Sequence, residues 1–441
     1  MTTTLLRISA IWLLFVGFAS AAFADPGKPV AVRWWGQGMV SIETYWNLQI
    51  VIDPFGEQVG YQDPHLSADL VRVTHEHGDH NNVAAVGGKP VVVRGLDSDG
   101  KVALLPNVLD RLPNQERPTW MAADSSTTRS THEVTVTAIP AWHDDQQGRQ
   151  RGATAMFAID VDGVRIIHCG DLGQSKLSDE QLAALGRVDV LLVPVGGVYT
   201  IDGAGAAAII AQINPRIVVP IHYTTPALKF ELQGIEPFVD AVRKRFEMHR
   251  LTRQAHNTLA VSDSRSDTAH TTRVVVLGYE PWQPSGELAE MFARKEAACR
   301  ASQETFAPLS VNQMNFHPTN GTHTPRWNAE HMMGRELLFF TQIYAACDGA
   351  IPRIDLNPAQ MPPDYRPAHP DWTGAEEARQ LERASVLVRR FAYLLDGVDL
   401  DAAAPGSRWT LRRLFRQMED HYAEHTANVR QKFALPDWPQ E

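Results

Sequence analysis

The sequence predicts an α/β layered domain followed by an all-α four-helix bundle, and two observations carry that prediction. From Val30 to about Gly278, short β-branched runs alternate with Gly and Pro punctuation and a few helical stretches. From Glu287 onward the pattern becomes helical, in four long segments. At 441 residues, 44% hydrophobic and 21% charged, the chain has the material for two domains and is neither disordered nor collagen-like.

Residues 1–24 stand apart from this pattern. Arg7 gives a weak positive start, Ile8 to Phe18 is mostly apolar, and Ala22-Phe23-Ala24 forms a small-x-small cleavage pattern before Asp25. This reads as a secretory signal, so the mature protein is expected in the periplasm or secreted. The apolar core is shorter than the roughly 20 residues a spanning helix needs, so retention as an anchor is the weaker reading and no stable membrane span is expected in the mature chain.

Lys and Arg total 41 against 51 Asp and Glu, a formal charge of −10 that leaves no broad basic surface for a phosphate backbone. Nucleic acid is not an expected partner; a small-molecule substrate is. The cysteines Cys169, Cys299 and Cys347 are too few and too scattered for a disulfide framework or a thiolate zinc site. Any metal here must be held by histidines and carboxylates.

Strands are expected at Val30–Trp35, Ile50–Ile52, Leu70–Val73, Val91–Val93, Val134–Ala138, Ala155–Val161, Val164–Ile167, Val188–Val193 and Ile217–Val219. Two prolines and a glycine between Glu280 and Gly286 break the pattern, which divides the mature chain into 25–283 and 284–441. Helices are expected at Glu287–Phe306, Pro325–Cys347, Gly374–Leu395 and Trp409–Phe433. Thr324 with Pro325 makes a good N-cap and first-turn pair, and Thr373 can cap the third helix.

The most informative stretch is Thr74-His75-Glu76-His77-Gly78-Asp79-His80, directly after the apolar run Leu70–Val73. So many imidazoles and carboxylates gain nothing at the edge of a buried strand, whereas metal ligation explains them. His75 and His77, two apart in an extended segment, project to one side and can share an ion. Gly78 is expected to permit the sharp turn that presents Asp79 and His80 to another. Imidazole with carboxylate suits Zn²⁺ foremost, with Fe or Mn also possible.

This His-x-His-x-Asp-His run resembles the signature of the metallo-β-lactamase superfamily, which implies an αββα sandwich for the first domain. The resemblance extends to His143 in Ala-Trp-His-Asp, Asp171 in His-Cys-Gly-Asp and His222 in Pro-Ile-His-Tyr. It implies His75, His77 and His143 on one metal, Asp79, His80 and His222 on a second, and Asp171 between them. Taken alone, His143 or His222 reads as an ordinary loop or core histidine and Asp171 as a turn residue. Glu76 and Asp144 are read as solvated or supporting the ligands, Asp53 as orienting a ligand imidazole. His168 is read as structural and Cys169 as a small buried apolar group.

Two ions about 3.5–4 Å apart lower the pKa of a shared water from 15.7 towards about 7 and generate hydroxide at neutral pH. No protein nucleophile is then needed, and Asp79, beside the water, can help manage its proton. The expected reaction is hydrolysis. Residues 152–170 and Val193 to Thr200 are similar to the branch that includes L-ascorbate-6-phosphate lactonase, with N-acyl-phosphatidylethanolamine phospholipase D more distant. That points to an ester, lactone or phosphoester. Gln37 departs from the branch, which often has histidine there. Asp171 stands where many true metallo-β-lactamases carry cysteine, and the short stretch from Asp171 to His222 lacks the extra domain usual in nucleic-acid-processing relatives.

In the last helix Leu411, Leu414, Phe415, Met418, His421, Tyr422, His425 and Val429 keep a three-and-four spacing that turns His421 and His425 inward. Imidazoles four apart reach one ion. His331 falls on a stripe with Gly334 and Leu338, the glycine leaving space beside it. Trp327-Asn328-Ala329-Glu330-His331 and His421-Tyr422-Ala423-Glu424-His425 resemble DinB-like bundles, which implies a divalent metal on His331, His421 and His425. His317, His323 and His369 are read as incidental. Besides hydrolysis, a metal-dependent scaffold and thiol-dependent transferase chemistry in the bundle remain open, and oligomeric state is not predicted.

Overall fold

The computed structural model describes residues 29–45, 47–102, 134–246, 250–263, 271–358, 360–361 and 364–440. The predicted secretory signal, 1–24, lies outside the described residues. The first region opens with β1 (Val30–Gly36), β2 (Met39–Glu43), β3 (Gln49–Ile52), β4 (Ser67–Val73) and β5 (Gly87–Arg94). It continues with β6 (Val134–Trp142), β7 (Ala153–Val161), β8 (Val164–His168), α1 (Asp179–Leu185), β9 (Val190–Pro194), α2 (Gly203–Ile213) and β10 (Ile217–Ile221). Then come α3 (Glu236–Arg245), β11 (Leu251–Arg253), β12 (Thr258–Val261) and β13 (Arg273–Val276).

These strands form two sheets, ordered β12-β1-β2-β3-β4-β5 and β11-β13-β10-β9-β8-β7-β6. Strands β9 and β10 are buried at every position, and their Val, Leu and Ile runs show why: a parallel strand covered on both faces has no polar side. The interior faces meet in one core that includes Trp34, Ile50, Leu70, Phe157, Ile166 and Val219. Strand β7 is antiparallel to both β6 and β8, so those two run the same way, and β8, β9 and β10 are parallel. The carboxyl ends of β6, β8 and β10 therefore emerge at one edge, where α/β sheets bind ligands.

The second region is helical: α4 (Gly286–Phe306), the short α5 (Val311–Met314), α6 (Pro325–Cys347), α7 (Gly374–Arg390) and α8 (Leu411–Lys432). Threonine side chains cap three of them. Thr324 accepts the Trp327 N–H, Thr373 the Glu376 N–H and Thr410 the Arg413 N–H. The cap at Thr410 starts α8 two residues later than the periodicity predicts. The expected helix Gly374–Leu395 stops at Arg390 and continues as a 3-10 turn, Ala392–Leu395. Phe391, Ala392 and Leu395 are all buried there, so packing bends the chain where intrinsic propensity would carry it on.

The two regions share a core, and a buried ion pair joins them. Arg390 at the end of α7 donates to Glu43 Oε1 at 2.6 Å, to Asn47 Oδ1 at 2.6 Å and to the Thr44 carbonyl. Glu43 also accepts from Arg33 at 2.6 Å. This contact lies at the end of β2 remote from the β1–β2 turn. Strand β2 itself, with Ser41 and Glu43 interrupting its apolar run, is absent from the sequence-based strands. Among the described residues no helix is long and apolar enough to cross a membrane.

Candidate metal centre

The His75–His80 segment leaves β4 through Thr74, and one buried carboxylate sets its course. Asp53 accepts the Thr74 N–H at 2.7 Å, the Thr74 hydroxyl at 2.6 Å, and shares a 2.9 Å bond with His80 Nδ1. A residue at φ 50°, as Asp53 is, tolerates this sharp exit because a short polar side chain can bond locally. The sequence-based role of Asp53, orienting an imidazole, corresponds to this bond. Gly78 does not act as expected. Its φ lies outside the left-handed region and a Cβ there would meet only Gln58 at 3.7 Å, so the turn does not require glycine.

Asp171 follows β8 and lies between the other histidines. Its Oδ2 is 3.2 Å from His143 Nε2, 3.3 Å from His222 Nε2 and 3.8 Å from His75 Nε2; its Oδ1 is 3.2 Å from His80 Nε2. His75 Nε2 and His77 Nδ1 are 3.0 Å apart, and Asp79 Oδ2 is 3.4 Å from His80 Nε2. Two sets emerge, His75, His77, His143 and Asp171, and Asp79, His80 and His222, with the donor atoms within 4.8 Å of one another in each. All seven residues singled out in the sequence thus meet at one edge of the sandwich.

The donor chemistry fits a cation. His80 Nε2 and Asp171 Oδ1 are buried and face each other, yet neither makes a hydrogen bond. Such atoms are costly unless something satisfies them, and two lone pairs converging on a common cation do so. Charge is strongly redistributed across the cluster. Burial lowers the pKa of His75 and His77, and neighbouring histidines lower it further. Burial works against the charge of His80 and Asp171 as well. Even so, until a cation displaces the proton from Nε2, the Asp171 and Asp53 carboxylates lift the pKa of His80 well above its ordinary value, and His222 and His80 hold that of Asp171 well below the usual carboxylate range.

Residues around the cluster organise it. Asp144 is buried and not solvated: its carboxylate accepts the N–H groups of Gln146, Gly148, Gln150 and Arg151, each at 2.8 Å, folding the loop that carries His143. Burial opposes its charge, but these N–H groups keep its pKa low. Glu76 is exposed and pairs with Arg94. His168 accepts the Gly170 N–H on Nδ1, so its Nε2 carries the proton and donates to the Gly38 carbonyl at 2.8 Å, a structural role. Cys169 is wholly buried and burial raises its thiol pKa.

A second cluster lies in the helical region. His331 on α6 and His421 and His425 on α8 bring one ring nitrogen each within 4.8 Å of the others. His331 Nδ1 and His421 Nε2 are buried without hydrogen bonds. Burial comes first, followed by repulsion from His425 at His331 and His421 and from His323, Arg335 and Lys432 at His425, and together they hold the imidazoles neutral, with pKa values lowered to about 4 for His331, about 3 for His421 and about 4 for His425. Sequence reasoning missed Asn328, whose Oδ1 is 2.7 Å from His425 Nδ1; its signal was the three-residue spacing from His331. Gly334 does not leave space at His331 but admits the backbone at Leu356 and Asn357, where a Cβ would stand 2.6 Å from the Asn357 nitrogen. His323 is not incidental, since its ring stacks on Trp327 at 3.5 Å, and Trp327 in turn stacks on His331 at 4.5 Å.

Residues 31–222 match the family described as Beta-lactamase superfamily domain, and residues 296–429 match the DinB superfamily. A UPF0173 metal-dependent hydrolase of Archaeoglobus fulgidus is 30% identical over 203 residues, covering 44% of this chain and 83% of that protein. One from Thermoplasma acidophilum is 31% identical over 213 residues, 47% of this chain and 87% of its own. Among solved structures, a metallo hydrolase from Ignicoccus hospitalis aligns at 21% identity and a TM-score of 0.34, over 49% of this chain and 91% of that one. This chain belongs to the UPF0173 metal-dependent hydrolases of the β-lactamase superfamily and carries a DinB-superfamily helical region after the hydrolase fold. It is a metal-dependent hydrolase.

Proposed function

We propose that the enzyme is exported and uses two cations, zinc foremost with manganese or iron as alternatives, to hydrolyse an ester, lactone or phosphoester. The observation that carries this reading is Asp171, whose two carboxylate oxygens lie within 3.3 Å of three imidazole nitrogens from β4, β6 and β10 exits. A buried carboxylate so placed suits two ions that share it. His75, His77 and His143 would hold the first, Asp79, His80 and His222 the second. When bound, such a pair activates water and polarises the oxygen of the scissile group.

The chain's own residues divide the remaining work. Asp171 is buried, whereas the Asp79 side chain keeps 25% of its surface exposed, so Asp79 is the carboxylate that meets water and can take a proton from it. Asp144 fixes the His143 loop, and Arg151 at the end of that loop donates to the Val198 carbonyl at 3.0 Å. Val198 is a β-branched residue at φ 58°, a strained conformation, and it stands exposed beside Tyr199. The Arg151 guanidinium also lies over the Tyr199 ring, 5.8 Å from its centroid.

The decisive experiment combines metal analysis with a substrate panel. Chelated and reconstituted protein is assayed on esters, lactones and phosphodiesters. Two ions in the hydrolase region and turnover of at least one class, lost in Asp171→Ala, are expected; less than one ion there under metal-replete conditions overturns the reading. Cell fractionation with N-terminal sequencing tests export, which predicts a mature chain starting at Asp25. A second reading, one divalent ion on His331, His421 and His425 with thiol-dependent transferase chemistry, is favoured by their converging neutral nitrogens. Unchanged metal content and thiol transfer in His421→Ala would remove it.

A further inference from the structure

The turn between β1 and β2 contains no expected ligand, yet it presses on the second donor set. Gly38 lies so close to His80 that a Cβ would meet the ring at 2.6 Å. Gln37 is wholly buried at φ 47°. Its carbonyl accepts the His222 N–H at 3.0 Å and the Trp34 indole N–H at 2.9 Å. Its side-chain Nε2 donates to Asp79 Oδ2 at 2.9 Å, and its Oε1 is buried without a hydrogen bond.

We propose that Gln37 is a positioning residue that decides whether the centre holds its second cation. The inference rests on the two-cation reading. Two of the three donors in the second set, Asp79 and His222, are held by Gln37, one through the side chain and one through the backbone. No hydrogen bond from Gln37 reaches His75, His77 or His143 among the described residues. A carboxamide suits the task because it orients Asp79 through a neutral donor and leaves the carboxylate its full charge for a cation, where lysine or arginine would neutralise it. The orientation of the amide is determined as well. Turning it over would set Oε1 against Asp79 Oδ2, two acceptors with no proton between them.

The test uses the full chain with His421→Ala added to remove one donor of the helical cluster. Chelator-stripped protein is titrated with Co²⁺ and followed by visible absorption and equilibrium dialysis. Gln37→Asn keeps a residue that tolerates positive φ but withdraws the amide from Asp79 by one methylene. Gln37→Glu keeps the length and sets a carboxylate against Asp79. Both variants are expected to bind the first Co²⁺ like the parent and the second roughly 10- to 100-fold more weakly. A second equivalent as tight as the parent's in Gln37→Asn, or an equal weakening of both equivalents, overturns the proposal, and Gln37→Asn decides alone if Gln37→Glu does not fold. A parent that takes up one Co²⁺ only in this region would instead sink the two-cation reading.

Discussion

Asp53 Oδ2 and His80 Nδ1 are joined by a 2.9 Å bond inside the protein, with neither side chain exposed to solvent. The carboxylate fixes the proton on Nδ1 and turns Nε2 toward Asp171 and Asp79. Asp53→Ala is expected to weaken cation binding at the Asp79, His80 and His222 set by roughly 10- to 100-fold. It also strands the Thr74 N–H, at a cost of about 1–3 kcal/mol. Equilibrium dialysis and thermal denaturation measure the two effects separately.

Asp171 is the shared group of the cluster, so its removal affects both donor sets. Asp171→Ala should lower affinity for both ions and leave hydrolysis at the level of the chelated enzyme. His77→Ala, by contrast, removes a donor from the first set alone, and the second should retain its ion. Metal content by mass spectrometry after gel filtration distinguishes the two patterns.

The helical cluster makes stability depend on pH in the metal-free protein. His331, His421 and His425 are held neutral in the fold, with pKa values of about 4, about 3 and about 4 against an ordinary 6.5. A depressed value means the unfolded chain takes up protons first, so their contribution is fully present above pH 6.5 and is lost as pH falls towards 4 and 3. Thermal melts from pH 7.5 to 4 should show this decline. His421→Asn should make it shallower.

Arg390 links the helical region to the sheet through Glu43, a pair whose side chains are both at least 95% buried. Burial raises the pKa of Glu43, but Arg390 and Arg33 more than offset this and hold the carboxyl ionised. Arg390→Ala leaves that buried charge to Arg33 and the Gln49 amide and should destabilise the protein by about 3 kcal/mol. Denaturant unfolding monitored by tryptophan fluorescence checks the value. Hydrolysis should persist in the folded fraction, because the contact lies at the far end of β2 from the metal centre.

What the sequence by itself determined is local in origin. Threonine caps and three-and-four spacing placed α6 from Pro325 to Cys347, because capping and periodicity act within one or two turns. The dense histidines after β4 were equally legible, since their chemistry contradicts an apolar strand end. His143, Asp171 and His222 were named through resemblance, for no local pattern distinguishes them from ordinary loop residues.

Only the tertiary structure decided how they meet. The direction of β6, β8 and β10, set by strand pairing across the whole sheet, carries those three residues to the edge where β4 ends. The hold of Gln37 on Asp79 and the backbone filling Gly334 arise the same way. Each is a contact between segments far apart in the chain. Side-chain type states what such groups can bond to, but sheet packing selects which partner comes within reach.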